Sequence, residues 1–232
     1  YSQEFLNDPL DSSDAFLRRG DFLPMDDVDY YSQKIICAAA DFAVSKADRA
    51  NRTSFTVGGK DVANYLHFID QRVGRWDPLE WINEMFKIQM EHNPEVFYVE
   101  DGVIWKAVSP MLYAEMLSRD IRINVEPRNP IKDKASRGRS LQRRMRAGQC
   151  RFDKRAEWYP GFEDELLRFT GNAASTLDDQ FDSSALLSLG FDDFVAVEKE
   201  DFYDDEDREM EQGFWNRANL SGSSGRSAVT GY

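Results

Sequence analysis

Cysteine and histidine are scarce in this sequence: its 232 residues include two of each. Cys37 and Cys150 cannot build a disulfide framework, and neither stands at a metal-type spacing from a partner. Cys37 lies in an apolar, strand-like run and reads as a small core residue. A reducing, intracellular setting is the simpler expectation. His67 and His92 are isolated, so no histidine pair competes for a metal, and no serine has an evident histidine partner for nucleophilic catalysis. Gly58-Gly59-Lys60 lacks the GxxxxGK(S/T) spacing of a nucleotide-hydrolysis loop, and there is no G-x-S-x-G elbow. No apolar run is long enough to span a bilayer, no signal peptide is visible, and no internal repeat emerges. The sequence begins at Tyr1 rather than Met, which fits a piece cut from a longer protein.

Positive charge is also in short supply. Lys and Arg number 29 against 42 Asp and Glu, a net charge of -13, which by itself argues against nucleic acid. The deficit is uneven, however. Lys132, Lys134, Arg137, Arg139, Arg143, Arg144, Arg146, Arg151, Lys154 and Arg155 cluster with only Asp133 and Asp153 among them. Acids dominate the ends instead, as in Asp26-Asp27-Val28-Asp29 and Glu198 to Glu211. Local potential governs phosphate binding more than the total does.

What is present is apolar content, 41% hydrophobic and 13% aromatic, enough for one sizeable domain with appendages or at most two small domains. Residues 1 to 30 read as an irregular lead-in that packs loosely on the domain or ends a preceding one. Lys34 to Asp41 reads as a buried strand ending in an acid. Thr53 to Val57 is expected as a second strand stopped by Gly58-Gly59, and Asn64 to Asp70 as a third, with the Gly58-Gly59-Lys60-Asp61 turn making a hairpin. Asp77 caps and Pro78 opens a helix to about Glu91, stopped by Asn93-Pro94. Glu95 to Glu100 is a fourth strand, Lys106 to Leu117 a helix, and Ile121 to Val125 a fifth strand. A basic helix from Asp133 to Ala147 closes at Gly148, Trp158 to Gly161 breaks the chain, and Phe162 to Phe169 forms a short helix. After Gly190 the chain turns acidic, then Ser/Gly-rich from Leu220. This order predicts an α/β fold, a mixed sheet with an antiparallel edge and flanking helices, not a doubly wound dinucleotide fold.

The densest candidate chemistry lies at Thr176 to Leu187, where Asp178, Asp179 and Asp182 precede an apolar helix through Phe181, Ala185, Leu186 and Leu189. Helical spacing puts these acids on neighbouring parts of one face. Clustered carboxylates repel, and a cation between them relieves the repulsion. The same residues also make an ordinary helix start, with Thr176 as N-cap and acids opposing the helix dipole. Two strands end in acids, Asp41 and Glu100, and ligands of open α/β sheets gather at the carboxyl ends of strands. Each has a plain reading as well: Asp41 as a cap, Glu100 beside Asp101-Gly102 as turn chemistry, Asp48 as a loop acid, the basic helix as a solvated face. Taken together they make an all-oxygen site for Mg²⁺ or Mn²⁺, and two such ions about 3.5–4 Å apart serve in-line displacement at a phosphodiester.

In order along the chain, Gln3 to Pro9, Ala40-Asp41-Phe42-Ala43 with Lys46-Ala47-Asp48, Val99-Glu100-Asp101, the basic stretch from Lys132 to Gly148, and Leu177-Asp178-Asp179-Gln180-Phe181-Asp182 resemble the C-terminal nuclease domain of the terminase large subunit of tailed bacteriophages. The last piece resembles that family's H-D-D-Q-x-D signature, with Leu177 in place of His, and Phe42 replaces the Pro of its D-P-A motif. The resemblance implies a ribonuclease H-like fold and a Mg²⁺- or Mn²⁺-dependent endonuclease, with two ions, that cuts concatemeric double-stranded viral DNA during packaging. It implies Asp41, Glu100 and Asp179 as metal-binding acids, with Asp178 and Asp182 as further candidates. Lys132, Lys134, Arg137, Arg139, Arg143 and Arg144 are the expected DNA contacts. Residues 1–30 would then link from a missing N-terminal ATPase domain, 31–195 would be the nuclease domain, and 196–232 an acidic, then Ser/Gly-rich tail. Implied partners are that ATPase domain, the portal and the small terminase subunit, in the host cytoplasm and away from membranes. Two alternatives stay open: a non-catalytic docking domain of the packaging motor, and a resolvase-like nuclease on branched DNA.

Overall fold

Alternation along the first strand sets the architecture. In β1 (Lys34–Asp41), Cys37 and Ala39 serve one core while Ala38 and Ala40 serve another, as the two-residue period of a strand requires. Both faces are apolar, so both need cover. A computed structural model describes residues 15–43, 52–131, 133–170 and 178–193. The chain divides into two units, Tyr1–Phe194 and Val195–Tyr232, and every described residue belongs to the first.

After a short helix α1 (Asp27–Tyr31) and β1 come β2 (Thr53–Asp61), β3 (Leu66–Gly74), α2 (Pro78–His92), β4 (Val96–Glu100), α3 (Val103–Arg119), β5 (Val125–Arg128), α4 (Lys134–Arg146), β6 (Cys150–Phe152), α5 (Tyr159–Arg168) and α6 (Asp179–Asp193). The strands form one sheet in the order β5-β4-β1-β2-β3-β6. The β1–β2 and β2–β3 pairs are antiparallel, and the β1–β4, β4–β5 and β3–β6 pairs parallel. On one face Trp81, Met85 and Phe86 of α2 and Trp105 and Leu112 of α3 pack against Ala38, Phe55 and Phe97. On the other, Leu141 of α4, Phe162 of α5, and Phe181 and Leu187 of α6 pack against Cys37, Phe68 and Tyr98. This is the expected mixed sheet flanked by helices.

Several local expectations need correction. The antiparallel strands are interior, because β6 extends the sheet beyond β3. Strand β2 does not stop at Gly58-Gly59; the turn lies at Asp61 to Tyr65, where Asp61 Oδ1 accepts the Tyr65 N–H at 2.8 Å and Asn64 takes φ 68°. Gly58 is a packing residue there: a Cβ would stand 2.7 Å from Leu187 Cδ2, so only glycine lets α6 approach this close. The fifth strand begins at Val125 rather than Ile121, and it contains Pro127. Proline is tolerated because β5 is the sheet's edge. Tyr159 and Pro160 do not break the chain but open α5, where Pro in the first turn lacks only a donor the helix would not use. Helix α6 continues past Gly190 to Asp193. The segment before residue 31 is not a loose lead-in throughout, since Leu17 and Phe22 are core residues and Pro24 bridges to Phe152. Gln3 to Pro9, Asp48, Lys132, Thr176, Leu177 and the tail from residue 196 lie outside the described residues.

Candidate active site

Strand pairing brings the two strand-end acids together. In the parallel β1–β4 pair, Ala40 lies opposite Val99, so the register continues to set Asp41 beside Glu100. The strand period then fixes their face. Asp41 follows Cys37 and Ala39, and Glu100 follows Val96 and Tyr98, all on the side packed by α4, α5 and α6. Helix α6 supplies the third acid. Phe181, Leu187 and Phe191 are fully buried and contribute roughly 1.5–3 kcal/mol each, so the helix is held firmly on the sheet. Its polar contacts set its rotation: Ser183 Oγ lies 2.9 Å from Ser54 Oγ and 2.7 Å from Thr56 Oγ1, which donates to Gln71 Oε1 at 2.7 Å.

With that rotation Asp182 joins Asp41 and Glu100 on one cavity of about 480 Å³, which Glu126, Pro127, Arg128, Asn129, Arg137, Leu186 and Leu189 also line. Leu186 and Leu189, expected in the helix's apolar face, also form a wall of this cavity, and Leu186 packs against the core as well. Asp179 and Asp178 do not line the cavity. Asp179 Oδ2 accepts from Arg52 Nε at 3.1 Å, and Arg52 Nη2 reaches Glu165 Oε2 at 2.5 Å. Asp178 is buried just before the helix, where its carbonyl accepts the Asp182 N–H at 2.8 Å. Asp182 Oδ2 pairs with Arg137 Nη1 at 2.9 Å.

Electrostatics mark the cavity as short of cations. Burial, then the nearby Asp182 and Asp179, push the Asp41 carboxyl well above the usual carboxylate range, against a smaller opposing pull from Arg137. Burial likewise raises Asp179, although the hydrogen bond from Arg52 holds it back. Four carboxylates and two guanidiniums line the cavity. This donor set is all oxygen and negative in sum, and it fits hard divalent cations. Among the described residues, the group whose ligand atoms lie within 4.8 Å of one another is Asp70, Glu91 and His92. Arg72 already neutralises that group through Asp70, Glu84 and Glu91.

The basic helix is only partly available to a phosphate. Arg139 and Arg143 are exposed. Arg137 turns into the acid cavity, and Arg144, only 7% exposed, pairs with Asp192 at 2.6 Å. The Lys134 side chain lies outside the described residues. Sequence reasoning missed Arg52, Glu165 and the Glu126 to Asn129 stretch. The last had a signal, because β5 ends at Arg128 opposite Glu100, at the same carboxyl-end edge as the acids.

A mixed sheet in this order, with acids at the ends of two parallel strands and a helix closing over them, is a ribonuclease H-like fold. More narrowly, it is the fold of viral terminase nuclease domains. The human cytomegalovirus terminase nuclease domain, soaked with Mn and bound to an inhibitor, matches with a TM-score of 0.52 at 10% identity over 74% of this chain and 90% of that one. The large terminase nuclease from the thermophilic phage G20c matches at 0.51 with bound cobalt, 17% identical over 68% of this chain and 81% of that one. With bound magnesium it matches at 0.50, 17% identical over 75% of this chain and 90% of that one. No protein-family model and no curated protein sequence matches.

Proposed function

We propose that this chain is a metal-dependent endonuclease that hydrolyses phosphodiesters of double-stranded DNA. The observation that carries the reading is the convergence of Asp41, Glu100 and Asp182, from two neighbouring parallel strands and one helix, on a single cavity. The fold shared with terminase nuclease domains supports it. Asp41, Glu100 and Asp182 would hold Mg²⁺ or Mn²⁺, with Asp179 supporting from behind through Arg52. When bound, a pair of such ions supplies Lewis acidity toward the attacking water and the leaving oxygen. The protein's own groups orient the substrate: Arg128 and Arg137 offer positive charge beside the acids, and Leu186 and Leu189 restrict water on one wall. Exposed Arg139 and Arg143 on α4 would meet the DNA backbone. In the same reading the substrate is concatemeric viral DNA, cut in genome packaging alongside an ATPase domain, the portal and a small subunit.

Supercoiled plasmid incubated with Mg²⁺ or Mn²⁺, with and without EDTA, tests the proposal. Nicked and linear products should form only with the metal, and Asp182→Asn should slow them by at least about 100-fold. Cleavage by Asp41→Asn and Asp182→Asn at the parent rate overturns it.

A further inference from the structure

We propose that Arg137 is a resident counter-ion of the acid cavity, one that an incoming divalent cation must displace from Asp182. The inference rests on the reading of this cavity as a cation site and concerns what sets its affinity. Helix α4 is capped by Asp133, whose Oδ2 accepts the Ser136 N–H at 2.8 Å. That start directs Arg137, in the first turns, toward α6. Its guanidinium is held at two points: Nη1 meets Asp182 Oδ2 at 2.9 Å, and Nη2 donates to the Ile131 carbonyl at 3.0 Å. Both partners of the ion pair are largely buried, with side chains 17% and 10% exposed. An ion pair so placed is only weakly screened by solvent.

The pair therefore engages Oδ2, one of the two carboxylate oxygens that Asp182 could offer a cation. Like charges repel across the cavity, so a cation and the guanidinium cannot both sit against Asp182 without cost. The anchor to Ile131 makes the exchange local. Breaking the bond to Asp182 leaves the guanidinium tethered in the cavity wall, its freed N–H groups facing the space where a phosphodiester would lie. Arg137 thus opposes metal binding to the cavity and becomes a phosphate ligand once the acids are neutralised. By contrast, an arginine that merely fastens α4 to α6 would, when removed, loosen Asp182 and weaken metal binding.

The sign of one affinity change separates the two roles. Mn²⁺ and Mg²⁺ titrations of the parent, Arg137→Gln and Arg137→Lys are read by calorimetry and by thermal shift, without DNA. Arg137→Gln should bind roughly tenfold more tightly, the factor that one charged hydrogen bond of ordinary strength represents. Arg137→Lys keeps the charge and should stay within about threefold of the parent. Unchanged or weaker binding by Arg137→Gln, or a gain by Arg137→Lys as large as that of Arg137→Gln, overturns the proposal while the cation site stands. No binding by the parent removes the cation site itself, and this proposal with it. A second measurement needs no variant to fold in the absence of metal. In ¹⁵N-arginine-labelled parent, the restrained Arg137 guanidinium signal should shift or broaden on adding Mg²⁺, and a signal unmoved at saturating Mg²⁺ overturns the proposal.

Discussion

The carboxylate of Glu165 on α5 accepts the backbone N–H of Gln180 at 2.7 Å, taking the place of a cap for α6 from 15 residues upstream. Its other oxygen accepts from the Gln180 side chain at 2.6 Å and from Arg52 at 2.5 Å. One carboxylate thus satisfies an orphan donor at the helix start and balances the arginine beside Asp179. Because Glu165 is 6% exposed, Glu165→Ala should lower stability by about 2–4 kcal/mol, most of it from leaving Arg52 with one partner fewer. Thermal unfolding in EDTA measures it. Glu165→Gln should recover part of the loss, since an amide oxygen still accepts the Gln180 N–H. Equal losses for Ala and Gln would mean that the cap contributes nothing.

Asp41→Asn should stabilise the metal-free protein. The Asp41 carboxyl is crowded by Asp182, Asp179 and Glu100 in a poorly solvated place. Whether it keeps its charge or takes up a proton there, folding carries a cost that an amide avoids. A gain of about 1 kcal/mol, some 2–4 °C in midpoint for a chain of this size, is expected. The parent should recover more than this from added Mn²⁺ through binding linkage, and the variant should not. A variant less stable than the parent in EDTA would contradict the electrostatic picture.

Much of this was legible in the sequence where a signal was local. The β1 run, the Asp77-Pro78 helix start and the basic helix that follows Asp133 are all found as read. So is the approach of Asp41 and Glu100 at the ends of two strands. What failed depended on partners remote in sequence. Gly58 reads as a turn until Leu187 is seen to press on it. The strand Cys150–Phe152 is held by remote pairing, with β3 and at Pro24. Asp179 and Asp182 share one helical face, so which of them enters the cavity is decided by how Ser183 docks on Ser54 and Thr56. Arg52 and Glu165, 113 residues apart, carry no mark of their pairing.

Gly138→Ala should destabilise, although alanine is the better helix former by about 1 kcal/mol. A Cβ at Gly138 would stand 2.2 Å from Phe181 Cζ. Phe181 cannot easily yield, because it stacks on Phe169 with ring centroids 3.5 Å apart and touches Phe16 edge-on. Overpacking of this kind costs about 1–3 kcal/mol, so the net loss should reach up to about 2 kcal/mol in denaturant titration. A gain in stability would show that α4 and α6 can part without penalty.

Stability should fall as the solution is acidified from pH 7 toward 5. Burial, helped by Lys34, lowers the His67 pKa below its ordinary 6.5, more than the hydrogen bond to Asp61 at 3.0 Å can restore. Below about pH 6.5 the unfolded chain binds a proton that the folded chain refuses. Unfolding therefore becomes easier as pH falls through that window, by up to about 1.4 kcal/mol per pH unit. Asp61 acts in the same direction at lower pH. Burial would raise it, but the His67 and Tyr65 hydrogen bonds win and hold it below 3.8, so its contribution disappears as pH drops past that value. His67→Gln should flatten the slope between pH 5 and 6.5. An unchanged slope would place the proton elsewhere.

The arginines of α4 should separate into two classes by experiment. Arg139 and Arg143 are exposed, whereas Arg144 is bonded to Asp192 at 2.6 and 3.2 Å and is nearly buried. Replacing Arg139 and Arg143 together by Gln removes two candidate phosphate ligands. DNA affinity should drop severalfold, and the salt slope of binding should shrink by up to about 0.9 for each phosphate no longer neutralised, with the unfolding midpoint unmoved. Arg144→Ala should do the reverse. It leaves Asp192 without its cation and opens the α4–α6 interface, at a cost of about 1–3 kcal/mol, reduced because Asp192 is about one-third exposed. The salt slope should stay as in the parent. Fluorescence anisotropy on a short duplex over a salt series, beside thermal unfolding of the same samples, gives both readouts. A salt slope reduced by Arg144→Ala and untouched by the double variant would move the DNA track off the exposed side of this helix.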